Sequence, residues 1–392
     1  MTPYIPLFLI FLLVAVILRQ TAVLTILYMI AAIYLAGRWW SQRAIRSVEV
    51  ERQFVRRAFL DQQVPVRILV RNRGRLPVIW LRLHESLPVG MTSPNYYQQV
   101  ISLGGRAQQV LEYRLNARKR GYYPLGPLVL TTGDLLGLAA ENRNEVEADS
   151  LIVYPRIVPL KLRSLLSRSP FGSIRETNPL FEDPSRTVGK RDYQTGDSMR
   201  RLDWKATAAV GRLQVKQYEP SIALETAVYL NLNIDDYTTR HRLDLTELAI
   251  ITAASIASWA SRRKHPIGLV SNGADPLSPG RCLQPLAPRG GSAHLAQVLD
   301  ALARIETSDG SSFHQLLRET SADLTWGTTL VVITGQLNDE LLGEIFPIHR
   351  RGLNVVLVPV GPVENLIEHK HRAEHFGFPV RPVQTQSDLE SW

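Results

Sequence analysis

The amino-acid sequence predicts an α+β multidomain protein: a transmembrane helical hairpin, then a β-sandwich-like domain, then an α/β domain with a mainly parallel sheet. Three observations predict this order. The N-terminal residues are apolar and nearly uncharged, the following ones alternate with a period of two, and the last ones place apolar strands between helical segments. The four segments, of which the third is a linker with a charged motif, are residues 3–40, 45–155, 156–222 and 223–392.

Composition excludes several classes of site. The chain has 392 residues, a formal net charge of +9 and one cysteine, Cys282. A single cysteine permits neither an intramolecular disulfide nor a cysteine-type zinc site. His294 is the next histidine along the chain, but nothing marks the two as a nucleophile and its base, so we expect Cys282 to be a bystander. Basic runs interleaved with aromatic residues, which bind single-stranded nucleic acid, do not occur, and an anionic lipid surface explains part of the charge.

Two apolar segments form the predicted hairpin, Pro3–Leu18 and Thr21–Ala36, with Arg19 in the turn between them. Each is somewhat shorter than the ~20 residues that span a bilayer, and the Trp39–Trp40 pair suits an aromatic belt. A cleaved signal peptide is disfavoured because no basic residue precedes the first segment. A single long helix is disfavoured because it would put Arg19 near the bilayer centre.

Basic residues predict the orientation. Arg38, Arg43 and Arg46 follow the second segment, whereas only Arg19 lies in the turn. The positive-inside bias therefore predicts a multi-pass protein of the cell membrane with its other domains on the cytoplasmic side.

Short alternating runs predict the β-sandwich-like domain. They are separated by Gly, Pro and Asn turn signals, as in antiparallel sandwiches. The clearest runs are Ser47–Arg52, Val64–Arg71 and Val78–Leu83. The basic run Arg118–Arg120 is interpreted as a solvated strand edge rather than a binding patch.

Residues Lys161–Ser185 are irregular and predict a linker or a surface loop. The segment Gly189–Ala208 that follows concentrates charge, glycine and aromatic residues. Asp197 or Ser198 suits the N-cap of a short helix there.

In that helix, Arg200, Asp203 and Trp204 would share one face, with Trp204 as the apolar anchor and Arg200 or Arg201 paired with Asp197 or Asp203. The alternating run Leu213–Tyr218 then predicts a strand. Two interpretations stay open: the charged cluster pins the linker against the next domain, or it docks a partner protein. Catalysis is least favoured because the segment has no histidine and no nucleophile beside a base.

The segment resembles the signature of domain-of-unknown-function family 58. The matching residues are Tyr193, Gly196, Asp197, Arg200 or Arg201, Asp203, Trp204 and Ala206–Ala208. Arg120–Pro127 is similar to the glycine-rich strand pair of such proteins, while Gly133–Gly137 departs from the family's Asp-Pro-Phe-Gly element. The resemblance implies a membrane hairpin, a von Willebrand factor A-like C-terminal domain, and partnership with MoxR-type AAA+ ATPases. Members of the family also often accompany transglutaminase-like membrane proteins.

Strands and helices alternate after Ala223, which predicts a parallel sheet covered on both faces. The predicted strands are Thr226–Leu232, Ile267–Val270, Leu330–Ile333 and Val355–Val358, and the predicted helices are Leu243–Arg262, Ser292–Ile305 and Asp339–His349.

A domain of the von Willebrand type often binds Mg²⁺ through an Asp-x-Ser-x-Ser loop after its first strand. Here Asn231 stands in the place of the first Asp, and Thr334-Gly335 follows the strand where a second Asp is usual. Hard divalent ions need oxygen ligands, so the remaining metal candidates are Asp235, Asp236 and Thr246. Adjacent aspartates in a loop are usually solvated turn residues, so we expect no functional metal and no cofactor.

Two other patterns have ordinary explanations. Leu286–Ser292 is rich in glycine but lacks a Walker lysine, so we expect a loop that ends in a Ser292 N-cap. His371 and His375 are four residues apart after His369, without the glutamate of a metalloprotease, which predicts an exposed histidine-rich helix.

We therefore expect a membrane-anchored, non-enzymatic interaction or assembly protein that partners an AAA+ ATPase and other membrane proteins. The alternative is a Mg²⁺-dependent, ligand-binding receptor module of von Willebrand A type. An enzyme is the third class.

Overall fold

A computed structural model describes the chain over residues 21–133, 142–161, 182–194, 199, 202–220, 225–278, 283–310 and 312–392. It contains two compact units, Met1–Arg156 and Ile157–Trp392. Helices and strands occur together in it, so the predicted mixed α and β class is confirmed. The predicted first membrane segment Pro3–Leu18 and Arg19 lie outside the described residues.

Helix α1 spans Thr21–Ile45, nine residues beyond the predicted end at Ala36. Its most apolar 18-residue window has a mean hydropathy of 1.6 and is only 6% buried, so length and composition allow it to cross a membrane. The end of the helix belongs to the first unit's core. Trp40 Nε1 donates to the carbonyl oxygen of Pro77 at 3.0 Å, and Ala44 is buried.

The described residues of the first unit that follow α1 contain ten strands, in three sheets of order β1-β3-β6, β5-β4-β8-β9 and β2-β10-β7. All neighbours are antiparallel except β2 and β10. The strands are β1 Val48–Gln53, β2 Arg57–Phe59, β3 Gln63–Asn72, β4 Val78–Ser86, β5 Tyr96–Leu103, β6 Gln108–Asn116, β7 Gly121–Leu125, β8 Leu128–Thr132, β9 Asn142–Val146 and β10 Asp149–Tyr154.

Strand β3 shows how the alternating sequence builds this core. Successive side chains of a strand point to opposite faces, and every second residue from Val64 to Asn72 is buried. Ile68 and Val70 pack with Leu81 and Leu83 of β4 in one apolar cluster, while Val64 joins a second cluster.

The second unit begins its described secondary structure with a hairpin of strands β11, Glu182–Asp192, and β12, Gln214–Pro220, with helix α2, Trp204–Val210, in their connection. We call residues 182–220 the signature hairpin. Strand β11 begins at Glu182, so the end of the predicted irregular segment Lys161–Ser185 is extended instead. Pairing with β12 accounts for this, because it satisfies the backbone of both strands.

A five-stranded sheet of order β15-β14-β13-β16-β17 follows, parallel except for β15. Its strands and helices, in chain order, are β13 Thr226–Leu230, α3 Arg242–Arg262, β14 Ile267–Ser271, β15 Leu286–Arg289, α4 Ser292–Arg304, α5 Phe313–Ser321, β16 Thr329–Thr334, α6 Asp339–Arg350, β17 Asn354–Pro359, α7 Leu366–His375 and α8 Gln386–Ser391.

The strands are buried on both faces. Ala227 and Tyr229 of β13 pack in one cluster with α5 and α6, so the buried residues between them face the other side, where α3 contacts β13. Helix α3 is also apolar enough to span a membrane, with a mean hydropathy of 1.3, but 83% of that window is buried, and it is a core helix here.

The loop prediction for Leu286–Ser292 was wrong. Leu286–Arg289 pairs with β14 as the antiparallel edge strand β15, and Gly291, with a φ of 104°, is the N-cap of α4. Pro288 suits an edge strand because it lacks the N–H that a central strand needs on both sides.

Candidate functional site

The connection of the signature hairpin folds back onto strand β12. The backbone N–H of Tyr193 donates to the carbonyl oxygen of Leu213 at 2.9 Å, and that of Asp203 donates to Gln214 at 2.8 Å. The first bond continues the pairing of β11 and β12. The second accompanies an antiparallel bridge between Leu202 and Val215 and holds the residues that precede α2 against β12.

Asp203 starts helix α2. Its side chain accepts a hydrogen bond from the backbone N–H of Ala206 at 3.1 Å, which makes it the N-cap. Its Oδ2 also lies 2.9 Å from the Nζ of Lys190 on β11. The bond from Lys190, and then the Ala206 N–H, lower the pKa of the Asp203 carboxyl.

Hydrogen bonds to nearby residues also fix the C-terminal end of α2. Gly211 has a φ of 71° and donates its N–H to the carbonyl oxygen of Thr207, as a glycine after a helix commonly does. The Thr207 hydroxyl accepts from the N–H of Gln214 at 3.0 Å, and the Gln214 side chain donates to Asp192. The small-residue end of the motif therefore fastens the helix to both strands.

The structure corrects the role predicted for Trp204. Leu202 and Ala206 are buried, and Leu202 forms a β-bridge with the buried Val215. Trp204 is the first residue of α2 and 67% exposed. The helix begins one residue after Asp203, so Asp203 and Trp204 do not share a helical face as predicted, and the apolar anchors are the smaller side chains.

Several further large apolar side chains of this short segment are exposed: Met199, Val210 and Leu213. Lys205, in the first turn of the helix, and Arg212, two residues after its end, are exposed as well. The signature hairpin thus presents apolar and basic groups together.

The structure places some of the predicted signature residues and leaves others undescribed. Tyr193, Asp203 and Trp204 lie in the hairpin connection as given above. Four further residues predicted for the signature lie outside the described ranges: Gly196, Asp197, Arg200 and Arg201. Cys282 also lies outside them.

A second cluster of polar side chains lies at the carboxyl edge of the parallel sheet. The chain leaves β13 toward β14 on one side and later adds β16 on the other, so the topological switch point lies between β13 and β16. In open α/β sheets this is where ligands bind. Asn231 follows β13 and Thr334 ends β16, and they line a small cleft with Asp236, His314 and Asn338.

The amide of Asn231 is the centre of that cluster. Its Nδ2 donates to Asp236 Oδ2 at 2.6 Å and to Thr334 Oγ1 at 3.1 Å. Its Oδ1 accepts from the backbone N–H of Asn233 at 3.0 Å and from Asn272 Nδ2 at 2.9 Å. The ends of β13 and β16 and the turn after β14 are therefore joined by one side chain.

Tyr237 and Gly335 complete the cluster. The Tyr237 hydroxyl donates to the carbonyl oxygen of Asn231 at 2.6 Å, and burial, followed by the charge of Asp236, raises the pKa of this tyrosine far above its ordinary value. A Cβ on Gly335 would overlap the Tyr237 ring and lie 2.6 Å from the carbonyl oxygen of Asp236. The close approach of the two loops therefore requires glycine at this position.

The three metal candidates, Asp235, Asp236 and Thr246, have different surroundings. Asp235 is exposed in a short 3₁₀ turn, and Asp236 accepts the Asn231 amide. Thr246 is buried in α3 and donates its hydroxyl to the carbonyl oxygen of Leu243 at 3.0 Å. Within the ranges that the structure describes, no three His, Cys, Asp or Glu residues are grouped so as to hold a metal ion.

The histidines have structural surroundings. His294 is buried with its Nε2 2.8 Å from the carbonyl oxygen of Ile267, so it joins α4 to β14. His371 and His375 are exposed on α7, and His369 Nδ1 lies 3.4 Å from Asp339.

Sequence reasoning did not identify Lys190 and Thr207 as partners of the motif, or Asn231 as the centre of the strand-end cluster. The spacing of Asp203 before Ala206 is an N-cap pattern, and Gly211 is a helix-end signal, so these two signals could have located α2. The N-cap prediction at Asp197 or Ser198 lies outside the described residues. Asn231 was noted only as a missing aspartate.

Comparison with known proteins supports the resemblance read from the signature. Residues 189–361 match the family described as "Protein of unknown function DUF58". This range begins in strand β11 and ends after β17, so it includes both the signature hairpin and the strand-end cluster.

Two curated relatives share part of the chain. "Uncharacterized protein YeaD" of Bacillus subtilis (strain 168) is 24% identical over 76% of this chain and 73% of that protein. "Uncharacterized protein Rv1480" of Mycobacterium tuberculosis (strain ATCC 25618 / H37Rv) is 33% identical, and this chain spans about half of that protein's length, 46%. Among solved structures, "von Willebrand factor type A from Catenulispora acidiphila" overlaps with a TM-score of 0.32 and 10% identity, over 45% of this chain and 42% of that one.

Proposed function

We propose that this chain, whose residues 189–361 match the DUF58 family, is a membrane-anchored, non-enzymatic interaction protein that docks an AAA+ ATPase of MoxR type through its signature hairpin. The observation that carries the proposal is that two consecutive residues, Asp203 and Trp204, have different surroundings. Asp203 is engaged in holding the hairpin together, whereas Trp204 beside it is 67% exposed.

An exposed tryptophan of this kind suits a docking role. Tryptophan and arginine dominate the binding energy of protein interfaces, because they bury a large area and can also hydrogen-bond. Trp204 sits on a helix whose two ends are capped, so its backbone is pre-ordered and binding costs less conformational entropy.

Charge indicates the partner's surface. Between Gly189 and Lys216 the sequence has seven Lys or Arg residues and three Asp residues. Of the acidic groups, Asp203 is paired with Lys190 and Asp192 accepts from Gln214. This part of the signature hairpin is therefore positively charged, and an acidic partner surface with an apolar pocket for Trp204 would complement it.

Helix α1 supports the membrane anchor. Its apolar window is almost entirely exposed, while Trp40 and Ala44 at its end pack into the first unit's core. In the proposed arrangement α1 is the second helix of a multi-pass hairpin in the cell membrane, and the following domains lie on the cytoplasmic side. The first unit is β-sandwich-like, and the second is of von Willebrand A type.

A non-enzymatic role is favoured over catalysis by the state of the polar groups at the strand ends. Asn231 is hydrogen-bonded to both Asp236 and Thr334. The cleft they line has a cavity volume of about 10 Å³, roughly the space of one water molecule. The Mg²⁺-dependent receptor alternative is disfavoured by the same amide, which donates where a metal ion would need lone pairs.

Purification from native membranes tests the proposal. Tagged wild type, Trp204→Ala and Trp326→Ala are extracted in mild detergent, and the bound proteins are compared by quantitative mass spectrometry. Trp326 is the matched control, since it is 60% exposed in the same unit but outside the signature hairpin. We expect an AAA+ ATPase with wild type and with Trp326→Ala, and its loss with Trp204→Ala. Equal recovery from all three proteins would remove the hairpin as the docking site.

A further inference from the structure

We infer that the side-chain amide of Asn231 closes the carboxyl edge of the parallel sheet in the way that a divalent cation would, so that this edge is built to work without a metal ion. The inference stands on the geometry of the strand-end cluster. It does not depend on the docking role proposed for Trp204, which lies in a different element.

The donor groups determine what this site accepts. A Mg²⁺ ion binds oxygen lone pairs at 2.0–2.1 Å and keeps octahedral geometry. Here the lone pairs of Asp236 Oδ2 and Thr334 Oγ1 that face the cluster receive N–H groups of Asn231, at 2.6 and 3.1 Å. The partially positive amide hydrogens stand between a carboxylate and a hydroxyl, which is the place that a cation would take. These residues therefore do not fit a metal ion.

The orientation of the amide is fixed by groups that can only donate. The backbone N–H of Asn233 lies 3.0 Å from Oδ1 of Asn231, so that atom must be the oxygen. Nδ2 of Asn272 approaches the same oxygen at 2.9 Å. Reversing the amide would set its oxygen against the Asp236 carboxylate and its N–H groups against other N–H groups, losing at least three of the four hydrogen bonds.

Burial strengthens the hydrogen bonds of this cluster. Asn231 is 2% exposed, and Tyr237, which donates to the Asn231 carbonyl, is 4% exposed. Hydrogen bonds are stronger away from water, and a buried group left without a partner is costly. Loss of the Asn231 amide would therefore release the loops that follow β13 and β16 from each other.

A single substitution tests the idea, because Asn231→Asp keeps the shape of the side chain and changes its charge. The variant would set a second carboxylate against Asp236, with Thr334 as a third oxygen, and two such carboxylates repel each other unless a cation lies between them. The substitution should convert a cation-independent site into a cation-dependent one. Asn231→Ala removes the amide without adding an oxygen and is the control.

Thermal unfolding of the full-length protein in detergent is measured in EDTA, in Mg²⁺ and in Mn²⁺. We expect the Tm of wild type to be the same in all three. Asn231→Asp should unfold several degrees lower in EDTA and regain most of the loss in Mg²⁺ or Mn²⁺. Asn231→Ala should unfold lower in every condition without recovery.

Two results would overturn the inference. One is a wild-type Tm that rises with Mg²⁺ and no longer does so after Asp236→Ala, since the native cluster would then bind a cation itself. The other is an Asn231→Asp protein that no metal ion stabilises. Should Asn231→Asp not fold, the wild-type and Asp236→Ala measurements decide: a saturable Mn²⁺ site in wild type that Asp236→Ala removes contradicts the inference, and equal Mn²⁺ titrations support it.

Discussion

The ammonium nitrogen of Lys190 lies 2.9 Å from Oδ2 of Asp203, and this ion pair ties strand β11 to the first turn of helix α2. The same carboxylate caps the helix through the Ala206 N–H. Because Asp203 is committed to the hairpin, its exposed neighbour Trp204 can contact a partner without being needed for the fold. The family signature thus combines a structural residue and a surface residue in sequence.

Asp203→Ala should loosen the signature hairpin while leaving the parallel sheet folded. The substitution removes the N-cap and the partner of Lys190 together. Hydrogen exchange should show faster exchange at Ala206, with unchanged protection in β13 and β16. Asp203→Asn can still cap the helix but carries no charge, so its exchange rate at Ala206 should lie between those of wild type and Asp203→Ala. Unchanged exchange at Ala206 in Asp203→Ala would show that the cap is not needed.

The ion pair also predicts a pH dependence. The pKa of Asp203 is lowered in the folded protein, by Lys190 first and the Ala206 N–H second. Its stabilising contribution is therefore fully present above the unfolded pKa of about 4 and is lost as the pH falls through the folded value. The difference in Ala206 exchange between wild type and Asp203→Asn should be constant near neutral pH and shrink in acid. A difference that grows in acid would contradict the sign.

The first unit contains a buried ion pair whose loss should be costly. Arg52 Nε lies 2.6 Å from Glu85 Oε1, with both side chains at most 2% exposed, and Tyr113 donates to the other oxygen of Glu85. Glu85→Gln leaves the buried guanidinium with Asp149 as its remaining carboxylate. We expect a loss of about 3 kcal/mol, the low end for breaking a buried pair.

Glu112→Gln is the control for that substitution. Glu112 pairs with Arg67 at 2.7 Å, nearly the same distance, but both side chains are more than half exposed. Surface pairs contribute roughly 0–1 kcal/mol, so denaturant unfolding should hardly change. Equal effects of the two substitutions would show that burial does not determine the cost.

Gly335→Ala should destabilise the strand-end cluster. The added methyl group would overlap Tyr237 and the Asp236 carbonyl, and such overpacking typically costs about 1–3 kcal/mol. Gly343→Ala is the control, because that glycine lies inside α6 and its Cβ would meet no atom within 4 Å. It should be neutral or stabilise by up to about 1 kcal/mol. Thermal unfolding of the two variants separates the outcomes, and a neutral Gly335→Ala would mean that the loops can move apart.

The sequence predicted the elements of the parallel sheet closely, because continuous apolar runs such as Leu330–Ile333 have few alternatives in a covered sheet. It also predicted strand β12 from the alternation after Gly211. Strand β15 was missed because its four residues contain Pro288 and border a glycine pair, which read as a loop.

The candidate site was harder to predict, because exposure and pairing depend on tertiary contacts. Trp204 is predicted to be the apolar anchor of its helix, yet it is exposed, and the smaller Leu202 and Ala206 are the buried side chains. The sequence showed that Asn231 replaces an aspartate expected as a Mg²⁺ ligand. Its four hydrogen bonds depend on residues far apart in the chain, such as Asn272 and Thr334, and these were not readable from spacing.

Site-specific photo-crosslinking in native membranes tests the central claim most directly. A photoreactive phenylalanine analogue replaces Trp204 in one protein and Trp326 in another, and crosslinked products are identified by mass spectrometry. The account predicts that position 204 captures an AAA+ ATPase and that position 326 does not. Crosslinks to that ATPase from position 326 alone, or no protein crosslink at all from a folded protein carrying the analogue at position 204, would contradict it.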